Sequence, residues 1–197
     1  MTAPPALTPA AEARRALRQR LLSARQAWSA GPAAHAAQQA LADRLAAVLA
    51  QLEPMCLGLY WPVRGEFNPR DIALAAHAGS GCALALPYAS KAPVEMRFRP
   101  WDGSEPATRD ECGLPAPSST QTVQPDVVLV PCVGFTTEGF RLGYGGGYFD
   151  RYLAAHPEVT AIGLAWDEGL VSAAELAPAD HDVPLMAVLT PSATWGG

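Results

Sequence analysis

The sequence predicts a three-layer α/β/α domain built on a mostly parallel sheet. Three observations carry that expectation. Short runs that are apolar on both faces, at residues 55–60, 82–86, 127–130, 161–165 and 183–189, read as buried strands. Helical patterns lie between several of them, as the crossovers of a parallel sheet require. A glycine-rich stretch follows one run and opens a helix, the position at which open parallel sheets collect ligands.

At 197 residues, 49% hydrophobic and 17% charged, the chain suits one compact core with no internal repeat. Residues 1–10, "MTAPPALTPA", have neither the basic nor the apolar region of a secretory signal and are expected to be a flexible tail before a single catalytic domain at 11–197. A net charge of -5 argues against a protein that coats nucleic-acid phosphates and points to a small ligand. Cys56, Cys82, Cys112 and Cys132 show no C-x-x-C spacing, so free thiols in a reducing cytoplasm are expected. Residues 72–90 carry no formal charge, yet His77, "GSG" and Pro87 interrupt them, which excludes a membrane span. A cytoplasmic monomer is the expectation.

In chain order, residues 10–28 form a helix with Leu17, Leu21, Leu22 and Trp28 on one side and Arg14, Arg18 and Arg25 on another. After "SAGP", residues 34–52 form an alanine-rich helix. The 55–60 strand follows; then Asn68-Pro69 caps a helix running to about residue 78. The 82–86 strand ends at Pro87, and 96–98 adds a short strand. Residues 102–125, rich in Pro, Ser and Thr, form a long excursion. The 127–130 strand leads through the glycine stretch to a helix at 147–156, and the strands at 161–165 and 183–189 close the domain.

The stretch "RLGYGGGYFDRY", residues 141–152, places four glycines in five positions between Arg141 and Asp150. Glycines let a backbone approach oxygens closely, and a helix N-terminus offers free N–H groups to phosphate. The third glycine of G-x-G-x-x-G is replaced by Tyr148, and no Gly-Lys-Ser/Thr follows, so neither familiar phosphate loop is present. Two readings stand at this point: another nucleotide cradle, or a tight turn. Arg141 can fork onto phosphate oxygens, and Asp150 can hold magnesium or simply face the helix dipole.

The longer run "VPCVGFTTEGFRLGYGGGYFDRYL" resembles the signature of the 5-formyltetrahydrofolate cyclo-ligase family, also called 5,10-methenyltetrahydrofolate synthetases. "RRALRQRLLSAR" is similar to that family's basic first helix, "LYWPVRGEFN" to its Tyr-x-Pro-x-x-x-Glu segment, "LPY" and "MRF" to its next strand pair, and "HDVPLMAVLTP" to its terminal segment. The resemblance spans about residues 13–191.

It implies ATP- and magnesium-dependent conversion of 5-formyltetrahydrofolate to 5,10-methenyltetrahydrofolate, with ADP and phosphate released. The formyl oxygen attacks the γ-phosphate, and N10 then closes on the activated carbon. By the same resemblance, Arg141 and Tyr148 serve the reaction. The triphosphate is bound by Arg14, Arg18, Arg141, Leu142, Gly143, Tyr144, Gly145, Gly146, Gly147, Tyr148 and Phe149. Asp150 and Asp182 hold Mg2+. Tyr60, Trp61, Met96, Tyr144 and Tyr148 wall the reduced folate, and Glu66 accepts the pterin N–H groups; for Trp61 and Met96, ordinary core packing is an equal reading. His181 is read as scaffold.

Three positions depart from the family pattern: Arg14 replaces a lysine, Ala116 replaces a polar residue in the excursion, and Met186 stands where an aspartate is common. These departures suggest an alternative, a folate- or nucleotide-binding relative that has lost turnover. Sugar-phosphate isomerases and CoA-transferases share the same layering, a further relation resting on fold alone.

Overall fold

The computed structural model describes residues 8–179 and 182–196. The elements are α1 Pro9–Ser29, α2 Ala33–Leu52, β1 Cys56–Gly58, α3 Arg70–Ser80, β2 Ala83–Lys91, β3 Val94–Pro100, β4 Thr108–Arg109, β5 Pro115–Ala116, β6 Val127–Pro131, β7 Gly134–Phe135, β8 Arg141–Leu142, α4 Tyr148–Ala155, β9 Thr160–Leu164, α5 Ala173–Leu176, β10 Ala187–Leu189 and β11 Thr194–Trp195. Seven strands form the central sheet in the order β11-β10-β9-β6-β1-β2-β3. β10, β9, β6, β1 and β2 run parallel, and the edge strands β3 and β11 are antiparallel. The layered α/β architecture expected from the sequence is the one observed.

The helices begin and end where local chemistry directs. Thr8 Oγ1 accepts the Ala11 N–H at 3.3 Å, with Pro9 in the first turn of α1. Asn68 Oδ1 takes the Arg70 N–H at 3.1 Å, and Gly81, at φ 74°, closes α3 in the left-handed conformation that glycine adopts without strain. The tail expected over residues 1–10 is shortened from the inside, because Pro9 and Ala10 already belong to α1; residues 1–7 lie outside the described ones.

Period-two alternation along the strands supplies both faces of the core. In β6, Val127 and Leu129 join a cluster with Leu41, Leu45 and Leu49 of α2, while Val128 and Val130 join one with Phe98, Tyr152 and Leu153. A third cluster, built from Leu17, Leu21, Val133, Leu142, Val171 and Leu176, seats α1 beside the end of the sheet. Gly134 permits that approach, since a Cβ there would lie 2.6 Å from Leu21 Cδ1.

Several boundaries differ from expectation for identifiable reasons. β2 continues through Pro87 to Lys91. Ala85 O faces β1, where Leu59 N–H meets it at 2.9 Å, so the missing N–H of Pro87 falls on that same side, past the end of β1, and breaks no ladder bond. Residues 183–186 are not strand, because Val183 O and Leu185 N–H bond instead to Arg141 and to Gly139 O. The excursion contains the β4–β5 hairpin, organised by Asp110, whose carboxylate accepts from Leu114 N at 2.8 Å and Ala89 N at 3.3 Å. The two-residue strands β7, β8 and β11 are too short to show a period.

Candidate active site

A cleft of about 640 Å³ opens at the carboxyl ends of β1, β2 and β6. The first helix contributes Arg14 and Arg18, the segment after β1 contributes Tyr60, Trp61 and Glu66, and β3 contributes Met96. The glycine loop 143–147 with Tyr148, Phe149 and Asp150 forms another wall, together with Arg141 and Asp182. Leu142 is the exception among the residues singled out in the sequence: its side chain is fully buried in the third core cluster and faces away from the cleft lining.

The glycine loop is bracketed by charge. Arg141 Nη2 donates to Asp150 Oδ1 at 2.6 Å, and Arg141 Nη1 to Val183 O at 2.9 Å. Arg18 Nε donates to Gly143 O at 2.6 Å. Gly145 sits at φ 95°, a conformation that favours glycine, and the Arg18 guanidinium packs over it, 3.2 Å from where a Cβ would lie. Burial, and then Arg14 beside it, lower the pKa of Arg18 from the ordinary arginine value. Arg14 Nη1 in turn donates to Asp182 Oδ2 at 2.6 Å, and Asp182 also accepts from Ala179 N–H at 2.8 Å. His181, read as scaffold, lies outside the described residues.

The opposite wall is aromatic around one carboxylate. Glu66 Oε2 accepts the Val63 N–H at 2.8 Å, and Oε1 accepts the Tyr144 hydroxyl at 2.7 Å. Burial raises the pKa of Glu66, against the hydrogen bonds from Tyr144 and Val63 and the nearby Arg25 and Arg64. Tyr60 is buried and donates to Phe67 O at 2.9 Å, so it presents ring rather than hydroxyl. Trp61 stacks its face against the Arg70 guanidinium at 4.3 Å, and Met96 serves the core and the lining together. Tyr148 OH donates to Ser90 O at 3.2 Å and lies 3.1 Å from Cys112 Sγ.

Arg25, Arg64 and Cys112 were not singled out as site residues. Arg64 and Cys112 line the cleft, and Arg25 lies behind it, bonded to Tyr144 OH. For Arg25 the signal was available: it stands seven residues, two turns, beyond Arg18 on the same helix face. Of the departures, Ala116 is fully buried in β5, and Met186 is exposed.

For magnesium, the donor chemistry fits. Magnesium is ordinarily held by one or two carboxylates together with substrate phosphates. Asp150, whose side chain is 30% exposed, and Asp182 supply such oxygens in the cleft, while no cluster of three or more potential protein ligands occurs among the described residues.

Comparison with known proteins bears on the family and the fold. Against the 5-formyltetrahydrofolate cyclo-ligase of Mycolicibacterium smegmatis the chain is 34% identical over 144 residues, covering 67% of this chain and 71% of the relative. Against that of Haemophilus influenzae it is 26% identical over 166 residues, covering 79% and 86%. The match to the Escherichia coli K12 cyclo-ligase is 43% identical but local, 72 residues spanning 36% of this chain and only 38% of the relative. Two solved structures share the fold at 23% identity and a TM-score of 0.72: the 5,10-methenyltetrahydrofolate synthetase of Mycoplasma pneumoniae, covering 90% of this chain and 98% of that one, and that of Aquifex aeolicus, covering 93% and 92%. The family model of the 5-formyltetrahydrofolate cyclo-ligases matches residues 10–191, from the second residue of α1 to just past β10, and with that extent of agreement the chain belongs to this family.

Proposed function

We propose that the protein converts 5-formyltetrahydrofolate and ATP to 5,10-methenyltetrahydrofolate, ADP and phosphate. One observation carries the reading. A single cleft joins a glycine loop and helix N-terminus, ringed by Arg14, Arg18 and Arg141, to an aromatic wall with one orienting carboxylate, Glu66. The first half suits phosphate and the second a flat heterocycle carrying N–H donors.

The chemistry asks for positioning more than for a strong base. A formyl oxygen is a poor leaving group until it is phosphorylated; the oxygen attacks the γ-phosphorus, ADP departs, N10 adds to the formyl carbon and gives up its proton to solvent, and the oxygen leaves as phosphate. Arg141 and the amides of residues 143–148 hold the triphosphate in line, and Arg14 and Arg18 close on it from α1. Tyr148, at the first turn of α4 and on the cleft wall, would lay its ring against the folate and turn its hydroxyl from Ser90 O toward the reacting groups. Asp150 and Asp182 are the residues that would hold magnesium, which when bound neutralises charge on the β- and γ-phosphates. Tyr60, Trp61, Met96 and Tyr144 wall the pterin. Four free cysteines support a reducing, cytoplasmic setting, and no helix among the described residues is long and apolar enough to cross a membrane.

The test is turnover by the purified protein. With magnesium and ATP, 5-formyltetrahydrofolate is expected to give a product absorbing in the near ultraviolet, with one ADP formed per product. Ligand binding by calorimetry with no product over hours would instead establish the binding-only alternative suggested by Ala116 and Met186.

A further inference from the structure

Arg25 lies in the last third of α1, 6% exposed, with its guanidinium directed into the protein. Its Nη2 donates to the Tyr144 hydroxyl, and that hydroxyl donates to Glu66 Oε1 at 2.7 Å. The direction of each bond is fixed by chemistry: guanidinium only donates, an ionised carboxylate only accepts, and a phenol does one of each. The three groups come from α1, the glycine loop and the segment after β1. Tyr144 therefore spans the two halves of the cleft.

The surroundings hold this chain in place. Gly65, at φ 73°, brings the 64–66 segment against α1, and a Cβ there would fall 2.8 Å from Ser29 Oγ and 3.7 Å from Arg25 Cγ. Trp166 Nε1 fixes the same segment by donating to Gly65 O at 2.8 Å. Structural need alone accounts poorly for the arginine. Its other contact, Nη1 to Cys132 O, is long at 3.4 Å, and its buried Nε has no hydrogen-bond partner among the described residues, an arrangement that costs stability.

We propose that Arg25 is a positioning residue for folate recognition: acting through the Tyr144 hydroxyl, it aims the Glu66 carboxylate and keeps it an anion able to accept the pterin N–H groups. The inference rests on the function proposed above and adds to it a residue that does not touch substrate. Val63 N–H and Tyr144 O–H occupy one lone pair on each Glu66 oxygen, which leaves acceptor sites for two further donors. The titratable groups facing Glu66 are Tyr60, Tyr144, Cys132, Arg25 and Arg64. Burial favours the neutral acid, and the two arginines oppose it.

The experiment measures 5-formyltetrahydrofolate affinity by calorimetry without nucleotide, from pH 5 to 8.5, for the wild type, Arg25→Met, Arg25→Lys, Tyr144→Phe and the Met/Phe double variant. Arg25→Met is expected to weaken binding about tenfold at neutral pH and to move the acid limb of binding up by about one pH unit. Arg25→Lys restores the limb but not the full affinity, since an ammonium supplies the charge without the fork. Tyr144→Phe shares the Met phenotype, and the double variant is no weaker than Arg25→Met alone. Unchanged affinity and an unchanged limb in Arg25→Met, or fully additive effects, overturn the proposal. Should Arg25→Met fail to fold, Arg25→Gln is judged by the same two readings, because Tyr144→Phe by itself removes a donor to Glu66 and alters the folate wall. A wild type that binds no folate overturns the functional reading as well, whereas folate binding that is indifferent to both substitutions overturns only the role of Arg25.

Discussion

Arg141 and Asp150 meet at 2.6 Å across the glycine loop they bracket, the arginine side chain only 4% exposed and the aspartate 30%. Eight residues of sequence lie between them, and five of these, 143–147, form the loop. The pair thus anchors both ends of a segment whose interior has little to hold it, with Gly145 and Gly147 at positive φ. A bound triphosphate would meet both partners: an arginine that can turn part of its fork toward phosphate and a carboxylate that can turn toward the accompanying cation.

Asp150→Asn separates those two duties. The amide keeps an acceptor for Arg141, so the loop stays anchored and stability falls by only about 1 kcal/mol. The negative charge is gone, and kcat at saturating magnesium and ATP is expected to fall at least about 10²-fold. Steady-state kinetics alongside thermal melts check both parts. Full activity in a folded Asp150→Asn protein would remove this side chain from the metal site.

Leu142 tests where the loop ends and the core begins. Its side chain is wholly buried against Leu17, Leu21 and Val133. Leu142→Ala leaves a cavity under α1, and denaturant titration is expected to show a loss of about 2–5 kcal/mol. At low temperature, where the variant remains folded, the KM for ATP should stay within about twofold of wild type, because only the core-facing atoms beyond Cβ are removed and the backbone at 142 is retained. A large rise in that KM, with stability unchanged, would show the side chain itself at the nucleotide.

The same contrast explains what the sequence made legible. Residues 141–150 are contiguous, so their chemistry can be read in one pass, and the parallel strands of the central sheet announce themselves because they are short apolar runs, whereas β11, two residues long, does not. Arg25 could not be recognised so directly. On a helical wheel it is one of several arginines beside a leucine stripe, and its partner Tyr144 lies 119 residues away. Glu66 was found through its segment, but that its second donor comes from the glycine loop is a property of the folded chain. Pro87 misled for a local reason: a proline ends a strand only when its missing N–H was due to a neighbour, and whether β1 reached that far could not be known before the sheet was assembled.

Glu66 also carries a stability cost with a definite sign. Burial raises its folded pKa above the unfolded value, so the folded protein binds the proton more tightly. Stability is therefore greatest below the ordinary carboxylate pKa and declines as pH rises from there through the raised folded value. Glu66→Gln resembles the protonated acid and does not titrate. Its melting temperature should match wild type near pH 4 and exceed it by a margin that grows until the pH passes the raised folded pKa and is constant above it, while 5-formyltetrahydrofolate binding weakens. A melting-temperature difference that stays constant between pH 4 and 8 would mean that ionised Glu66 is fully compensated in the free protein.

The four thiols give a last test that reports on the cleft without turnover. Cys132 is buried and its pKa is pushed up to about 12 by that burial; Cys56 is pushed up to about 11 by burial, with Cys82 and Asp126 adding to it; Cys82 is buried and raised in the same way. Thiolate is the reactive form, so these three are slow at pH 7.5. Cys112 is exposed, and its Sγ lies at the cleft wall 3.1 Å from Tyr148 OH. A maleimide should therefore label one site rapidly, and peptide mapping should place it at Cys112. Because Tyr148 lies at the head of α4, directly after the loop expected to hold phosphate, saturating magnesium-ATP with 5-formyltetrahydrofolate should slow that labelling severalfold. An unchanged rate at ligand concentrations that saturate binding would place the ligands away from this wall, and with them the role given to Tyr148.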